Sequence, residues 1–314
     1  MKFIYFLIYL ALMTQTVRIS VAEYLSPVAK KLHTVCLKNS PSDSKNVEIL
    51  NALVCGHSLN NYSLNTLFIA VGLIHVFVVS GSHLNKIYGL THFAIQFSQK
   101  IIIPQLSFFL MSLQILLLFI YCLVCNLNPP VTRSMTVLIL LMTLKKIKLN
   151  LSLSFVTLIS GLICLLIEPN WSNSLSFQMS WLIQLVIMQN NDQHSKSKSI
   201  YESLTIYLCL IPTFNLLGFP SVISALIAFI LSGVVEFVLF PLSFLTYFNH
   251  SITPLFDTIC DQFVIILQQF ETYTTTASAH QEQIIQLNWF IICALHTFIN
   301  IQTTQYYRKQ ASAI

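Results

Sequence analysis

The sequence predicts an all-α polytopic integral membrane protein with about nine transmembrane or re-entrant helices. Of its 314 residues, 55% are hydrophobic and only 9% are charged, whereas about a quarter of the residues in a soluble domain are charged. Several apolar runs reach or approach the ~20 residues that an α-helix needs to cross a bilayer. The net charge of +5 is too small to indicate nucleic-acid binding by itself. No independent soluble domain is expected, because the polar stretches are shorter than a small domain of ~50 residues.

The N-terminal 63 residues contain two predicted segments. Residues 1–22 are a signal peptide or a first transmembrane span, since an apolar run precedes the small residues Ser20 and Ala22. Residues 23–63 are an extracytoplasmic amphipathic segment that begins with a helix lying on the membrane surface or packing against the bundle. Its apolar positions recur at steps of three and four residues: Leu25, Val28, Leu32, Val35 and Cys36. Cys36 and Cys55 would form a disulfide if this segment faces an oxidising compartment.

Residues 64–303 form the predicted membrane domain, and residues 304–314 form a cytoplasmic tail. The spans are expected at residues 64–80, 101–125, 131–144, 149–167, 175–189, 200–217, 219–248 (a hairpin kinked near Pro241) and 285–301. Residues 84–100 are a weaker, re-entrant or surface element. The cluster Lys145, Lys146 and Lys148 marks a cytoplasmic loop. Residues 249–284 contain four carboxylates and no Lys or Arg, which is typical of an outer loop.

A polar interruption within residues 72–86 is the most informative stretch. An apolar run of the kind found inside membranes is followed there by closely spaced polar and small residues: His75, Ser80, Gly81, Ser82, His83 and Asn85. A helix that breaks leaves backbone groups unpaired, and lipid cannot pair them, so such a break requires burial in protein or a watery cavity. Gly81 would let the chain take a positive φ. The alternative is that Ser80 ends one span and His83 lies in the next loop.

Three motifs in order resemble the ComEC competence-protein family. Gly-Leu-Ile-His at 72–75 with Ser-Gly-Ser-His at 80–83 resembles the family's Gly-Leu-x-His and Ser-Gly-x-His signature. Pro-Pro-Val-Thr-Arg-Ser at 129–134 is similar to its Pro-x-x-Arg-small element, and Phe-Gln-Met-Ser at 177–180 to its Phe-Gln-Leu-Ser element. Ser82 and Ser176 depart from the family pattern, which prefers an apolar residue and Gly at these positions.

This resemblance implies a channel in the bacterial plasma (inner) membrane that admits single-stranded DNA to the cytoplasm during natural transformation. Single-stranded DNA and the lipid bilayer would be its direct partners. A separate DNA receptor and an ATP-driven motor are implied as well, since the chain has no Gly-x-x-x-x-Gly-Lys-Ser/Thr loop. A nuclease would be a separate protein, because no His-x-His-x-Asp-His motif occurs. The path runs through one subunit or through a homo-oligomer.

The resemblance also suggests which polar residues line the DNA path. Arg133 would contact a phosphate at the mouth of the path, or its side chain would reach the outer interface. His75 and His83, with Ser80, Ser82 and Asn85, would line a constriction or form hydrogen bonds between helices.

Gln178, Ser180 and Trp181 supply a second polar group, on the predicted span 175–189. A Trp ring beside amides suits the stacking of unpaired bases, and a helix–helix interface is the alternative. Glu236 lies in an apolar run without a cation close in sequence.

Two other functions remain open at this stage. In the first, His75, His83 and His92 would hold a metal in a membrane enzyme. In the second, the chain is a degenerate structural remnant of a longer competence protein. For the channel, the sequence predicts no enzymatic activity, no cofactor and no catalytic residue.

Overall fold

The computed structural model describes residues 21–71, 73, 81–101, 106–149, 151–189 and 230–271, and every regular element in these ranges is helical. The predicted all-α class is therefore confirmed for the described part of the chain. The chain divides into two compact units: residues 23–135 with 219–276, and residues 1–22, 136–218 and 277–314. Residues 75, 80, 200–217 and 285–301 lie outside the described ranges, so the predictions for them stay predictions.

Ten α-helices occur among the described residues. They are α1 (Val21–Lys38), α2 (Val47–Cys55), α3 (Tyr62–Ala70), α4 (Gly81–Ile101), α5 (Leu106–Val124), α6 (Pro129–Lys146), α7 (Leu153–Ile167), α8 (Leu175–Gln189), α9 (Ile230–Phe248) and α10 (Thr253–Glu271). A short 3₁₀-helix, Pro169–Asn173, joins α7 to α8, and another, His250–Ile252, joins α9 to α10.

Only α9 is long and apolar enough to cross a membrane among the helices that the structure describes. Shorter apolar segments lie at Ser112–Val124 and Phe155–Ile167. The number of membrane crossings therefore remains a prediction.

Within the expected outer loop at 249–284, residues 253–271 form a helix, α10, and the side of the membrane on which the segment lies stays a prediction. Phe256, Cys260, Phe263 and Leu267 are buried, at steps of four, three and four residues. This spacing places them on one face of a helix. They contribute to the core of the first unit together with residues of α2, α3 and α9.

The segment that leads into α2 is held by a carboxylate of α10. Asp257 accepts hydrogen bonds from the Ser44 hydroxyl at 2.7 Å, the Lys45 backbone N–H at 3.1 Å and the Asn46 backbone N–H at 3.2 Å. A negative charge at a helix N-terminus is favourable, because the helix dipole and the unpaired N–H groups point toward it. Asp257 thus anchors α10 to α2 inside the first unit.

A disulfide joins the C-terminal ends of α1 and α2. Cys36 and Cys55 are bonded, with their Cα atoms 6.0 Å apart, as the sequence predicts for a segment in an oxidising compartment. α1 has the predicted helical form, and Ala29 and Cys36 are buried. The side chains of Val28 and Val35 are about half exposed, so α1 keeps an apolar outer face.

In the second unit, α7 and α8 approach each other very closely. A Cβ atom added to Gly161 of α7 would overlap the indole ring of Trp181 on α8. Trp181 is 1% exposed, and its ring also lies against Phe177, with centroids 5.6 Å apart. The absence of a side chain at Gly161 is what makes room for the indole ring.

Candidate functional site

The turn between α5 and α6 sets the position of the Pro-Pro-Val-Thr-Arg-Ser motif. Asn126 and Leu127 both have a left-handed backbone with φ of 53°, which reverses the chain direction after α5. α6 then begins at Pro129, where a proline is favourable because the first helical N–H groups have no intrahelical partner. Arg133 and Ser134 follow within the first two turns and are both buried.

Gly81, the first residue of α4, lies directly against Ser134 of α6. A Cβ atom on Gly81 would overlap the Ser134 hydroxyl and would lie 3.1 Å from the Ser134 Cβ atom. The Ser-Gly-Ser-His motif and the Pro-Pro-Val-Thr-Arg-Ser motif, about fifty residues apart in sequence, therefore meet at this contact. The prediction of a positive φ at Gly81 is wrong: among the described residues the glycine in that conformation is Gly56. Gly81 is needed for close approach instead.

His83 is buried two residues into α4. Its side chain is 0% exposed and its ring stacks on Phe240 of α9, with centroids 4.0 Å apart and ring planes 4° from parallel. Neither ring nitrogen has a hydrogen-bond partner among the described residues. A buried polar group without a partner costs free energy, and such groups in a native structure call for an explanation. Asn85 is exposed, as expected for a helical position two residues away.

Lys86, one turn after His83, pairs with Glu236 of α9. Its Nζ atom lies 3.0 Å from Glu236 Oε2, donates to the Glu236 backbone carbonyl at 2.7 Å, and lies 4.2 Å from the centre of the Phe237 ring. The sequence did not reveal this cation, because it is 150 residues away from its partner.

Pro241 explains why the carbonyl of Glu236 needs an external donor. Residues Val235–Leu239 form a π-turn, in which the Phe240 N–H bonds the carbonyl five residues earlier, at Val235. In that register the carbonyl of Glu236 would pair with the N–H of residue 241, and proline has none. Lys86 supplies the missing donor. π-turns of this kind are frequent at functional sites.

We expect Lys86→Met to destabilise the protein by about 1–2 kcal/mol and Glu236→Gln by less than about 1 kcal/mol. The lysine change removes both the ion pair and the side-chain donor to the Glu236 carbonyl, whereas the glutamate change leaves that donor in place. Unfolding of both variants in mild detergent measures the difference. Equal losses would mean that the ion pair, not the carbonyl bond, carries the contribution of Lys86.

The second unit holds the other predicted residues, Gln178, Ser180 and Trp181, on α8. Gln178 is fully buried and its Nε2 atom donates to the Ser172 carbonyl at 2.7 Å. The Trp181 ring is covered by Gly161 of α7, and Ser180 is half-buried. In this structure Gln178 and Trp181 thus contribute to helix packing. A base could stack on the indole ring only if α7 moved away from it. Their contact with DNA stays a prediction.

A metal site built on α4 is not supported by the described residues. His83 and His92 are nine residues apart, which places them on opposite sides of a helix, and His92 bonds Gln96 and stacks on Tyr88 instead. No group of three or more His, Cys, Asp or Glu side chains in the described ranges has the arrangement of a metal site. His75 and Ser80 lie outside these ranges, so the predicted grouping of His75 with His83 stays a prediction.

Comparison with known proteins gives one match. The family model described as "Competence protein" matches residues 57–308, which include all three motifs. No curated protein and no solved structure matches the chain significantly.

Proposed function

Because the chain belongs to the competence protein family, we propose that it forms the membrane core of a channel that passes single-stranded DNA into the cytoplasm. The family match supports the coarser statement, a role in DNA uptake during competence. The channel itself is our inference. The observation that carries it is the Gly81–Ser134 contact, which brings the first two family motifs together beside the buried Arg133 and His83.

The chemistry of a DNA strand explains why such a site would matter. Each nucleotide carries a negative charge, and hydrocarbon cannot solvate it, so a path must offer cations, backbone donors or water. Arg133 is 3% exposed, and an arginine buried in a membrane protein often marks the path of an ion or substrate. His83 would add a buried polar ring whose nitrogens have no hydrogen-bond partner among the described residues. These residues are our candidates for phosphate contact.

The orientation that we propose places the disulfide outside the cell membrane and the lysine cluster inside. Disulfides persist in oxidising compartments, and the bond between Cys36 and Cys55 joins α1 to α2. Lys145, Lys146 and Lys148 lie at the end of α6 and just beyond it, where excess positive charge is typical of the cytoplasmic side. The chain would thus be a multi-pass protein of the bacterial plasma membrane.

Other proteins would complete the uptake system. We propose a separate DNA receptor outside and an ATP-driven motor inside, because the sequence has no nucleotide-binding loop of the Gly-x-x-x-x-Gly-Lys-Ser/Thr type. Strand degradation would belong to a separate nuclease. The chain itself would then act as a conduit rather than as an enzyme.

Deletion of the gene followed by transformation with labelled DNA tests the assignment. We expect labelled DNA to stay outside the cytoplasmic membrane in the deletion strain, and transformants to reappear when the intact gene is returned. Normal entry of label into the cytoplasm of the deletion strain would refute the channel.

Arg133→Ala and His83→Ala are each expected to lower uptake by about tenfold while the protein remains in the membrane. The first removes the buried charge, and the second removes the polar ring that stacks on Phe240. Lys45→Ala is the matched control. It removes an exposed cationic side chain and keeps the backbone N–H that donates to Asp257. Uptake must be divided by the amount of protein in the membrane. Undiminished uptake in either variant would exclude the role given to that residue.

A further inference from the structure

An exposed stripe of side chains runs along α1. It consists of five residues at steps of four and three, which places them on one face of the helix: Tyr24, Val28, Lys31, Val35 and Lys38. All five side chains are exposed, and we call these residues the outer stripe. Apolar and cationic side chains therefore share one face of α1, so the surface that covers this face must suit both kinds.

Two hydrogen bonds fix α1 to the ends of two apolar helices. His33 Nδ1 donates to the carbonyl of Val124, the last residue of α5, at 2.9 Å. The Tyr247 hydroxyl, one residue before the end of α9, donates to the Cys36 carbonyl at 3.2 Å. α9 is long and apolar enough to cross a membrane, and α5 contains one of the shorter apolar segments. α1 therefore lies at the level where these two helices end.

The apolar surfaces of α5 and α9 continue to the same level. Leu116 and Ile120 are exposed in the second half of α5, and Leu245 and Phe248 are exposed in the last turn of α9. A band of exposed apolar side chains is suited to contact with lipid rather than with water. In the membrane placement that we propose, the acyl chains extend up to these helix ends. α1 then lies at the boundary between the acyl chains and the headgroups.

The outer stripe suits this boundary better than it suits water or hydrocarbon. Water would leave Tyr24 and the two valines exposed, and hydrocarbon would not solvate the two lysines. At the boundary the valines reach the acyl chains, while each lysine extends its hydrocarbon stem and places its ammonium group among the phosphates. Tyrosine is enriched at the same depth. The lysines lie on the proposed outer side, where excess positive charge is unusual, and an anionic partner accounts for them.

We propose that the outer stripe of α1 binds anionic phospholipids in the outer leaflet of the membrane. Val28 and Val35 contact the acyl chains, and Lys31 and Lys38 bind the phosphate groups. The bound lipids hold α1 at the membrane surface, and the disulfide passes this restraint on to α2. Lipid binding requires the membrane placement given under the proposed function, and it does not require the passage of DNA.

Quenching by brominated lipid measures whether α1 touches the acyl chains. A tryptophan is placed on the outer stripe in Val28→Trp, on the opposite side of α1 in Lys30→Trp, and on the apolar face of α5 in Leu116→Trp. All three positions are exposed, so the larger ring disturbs no packing. Each full-length variant is placed in nanodiscs of phosphatidylglycerol with brominated acyl chains, and the fluorescence of the unchanged protein is subtracted. We expect about twofold or stronger quenching of Val28→Trp and Leu116→Trp, and little quenching of Lys30→Trp.

The two reference variants separate the possible failures. Quenching of Leu116→Trp without quenching of Val28→Trp would overturn the lipid contact of α1 and leave the membrane placement intact. Equal quenching of Val28→Trp and Lys30→Trp would mean that α1 has no preferred lipid-facing side, which also overturns the proposal. If no variant is quenched, the membrane placement itself is wrong, and the proposed channel fails with it.

The class of lipid is tested with a double variant, Lys31→Gln with Lys38→Gln. Native mass spectrometry of the full-length protein in detergent compares the binding of phosphatidylglycerol and phosphatidylcholine with the same acyl chains. We expect phosphatidylglycerol to bind more tightly. The double variant should lose about tenfold or more of that affinity, since each lysine near an anionic surface contributes about fivefold. Lys45→Gln, which removes an exposed lysine outside α1, should bind as the unchanged protein does.

Two results of the lipid titration would overturn the proposal. The first is an unchanged affinity of the double variant for phosphatidylglycerol. The second is a loss confined to the binding of a single-stranded oligonucleotide, which would assign the two lysines to DNA instead of lipid.

Discussion

Replacing both Cys36 and Cys55 by alanine is expected to lower the free energy of unfolding by about 3 kcal/mol. The bond closes a loop between residues 19 positions apart, and a cross-link of that span stabilises mainly by restricting the unfolded chain. Alanine is the appropriate substitute because Cys36 is 5% and Cys55 0% exposed, so serine would bury an additional hydroxyl. Denaturant unfolding in mild detergent without a reductant measures the loss.

The single variants provide the control for the disulfide. Cys36→Ala and Cys55→Ala each remove the same bond, so the two single losses and the double loss should be nearly equal rather than additive. A thiol reductant should destabilise the unchanged protein by a similar amount and should leave the double variant unaffected. Unfolding of the double variant at the same denaturant concentration as the unchanged protein would contradict the bond and the compartment inferred from it.

Local sequence patterns predicted the elements whose structure depends on nearby residues. The predicted span 175–189 coincides with α8, Leu175–Gln189. An apolar run of this length between two polar segments has few alternatives to a helix, and the polar segments fix its ends. α10 was missed for the opposite reason. Its exposed positions include Asp261 and Gln262, and counting charge over the whole segment concealed the buried face. Helical periodicity was the signal that would have identified it.

The candidate site could be predicted only in part, since its key contacts join distant residues. Lys86 and Glu236 are 150 positions apart, and the residues around each of them in sequence do not indicate that the two side chains pair. A weaker signal was nevertheless present: Pro241 in an apolar helix indicates an unpaired carbonyl one turn earlier, at Phe237 in a regular α-helix. The π-turn that moves this carbonyl to Glu236 is visible only in the structure. The motifs identified Gly81 correctly. The reason that a glycine is needed there is its close contact with Ser134, which is a tertiary contact that the sequence does not show.

Gly161→Ala is expected to destabilise the second unit by about 1–3 kcal/mol, and Gly161→Val by more. The added Cβ atom would overlap three atoms of the Trp181 ring. That ring is buried between α7 and Phe177, so it cannot move aside without opening the interface between α7 and α8. The backbone preference acts in the other direction, because alanine favours a helix over glycine by about 1 kcal/mol. A measured loss would therefore understate the steric cost.

Two other helical glycines separate the steric effect from the backbone effect. At Gly89 in α4 and Gly233 in α9, an added Cβ would meet no atom within 4 Å in the described part of the chain, apart from the local helix backbone. Gly89→Ala and Gly233→Ala should therefore leave stability unchanged or raise it by up to about 1 kcal/mol. Trp181→Phe, which makes the ring smaller, should partly rescue Gly161→Ala if the indole is the obstacle. Equal behaviour of all three alanine variants would mean that α7 and α8 do not pack at Gly161. The helix-interface role of Trp181 would then be lost, and the indole would be free to stack on a base.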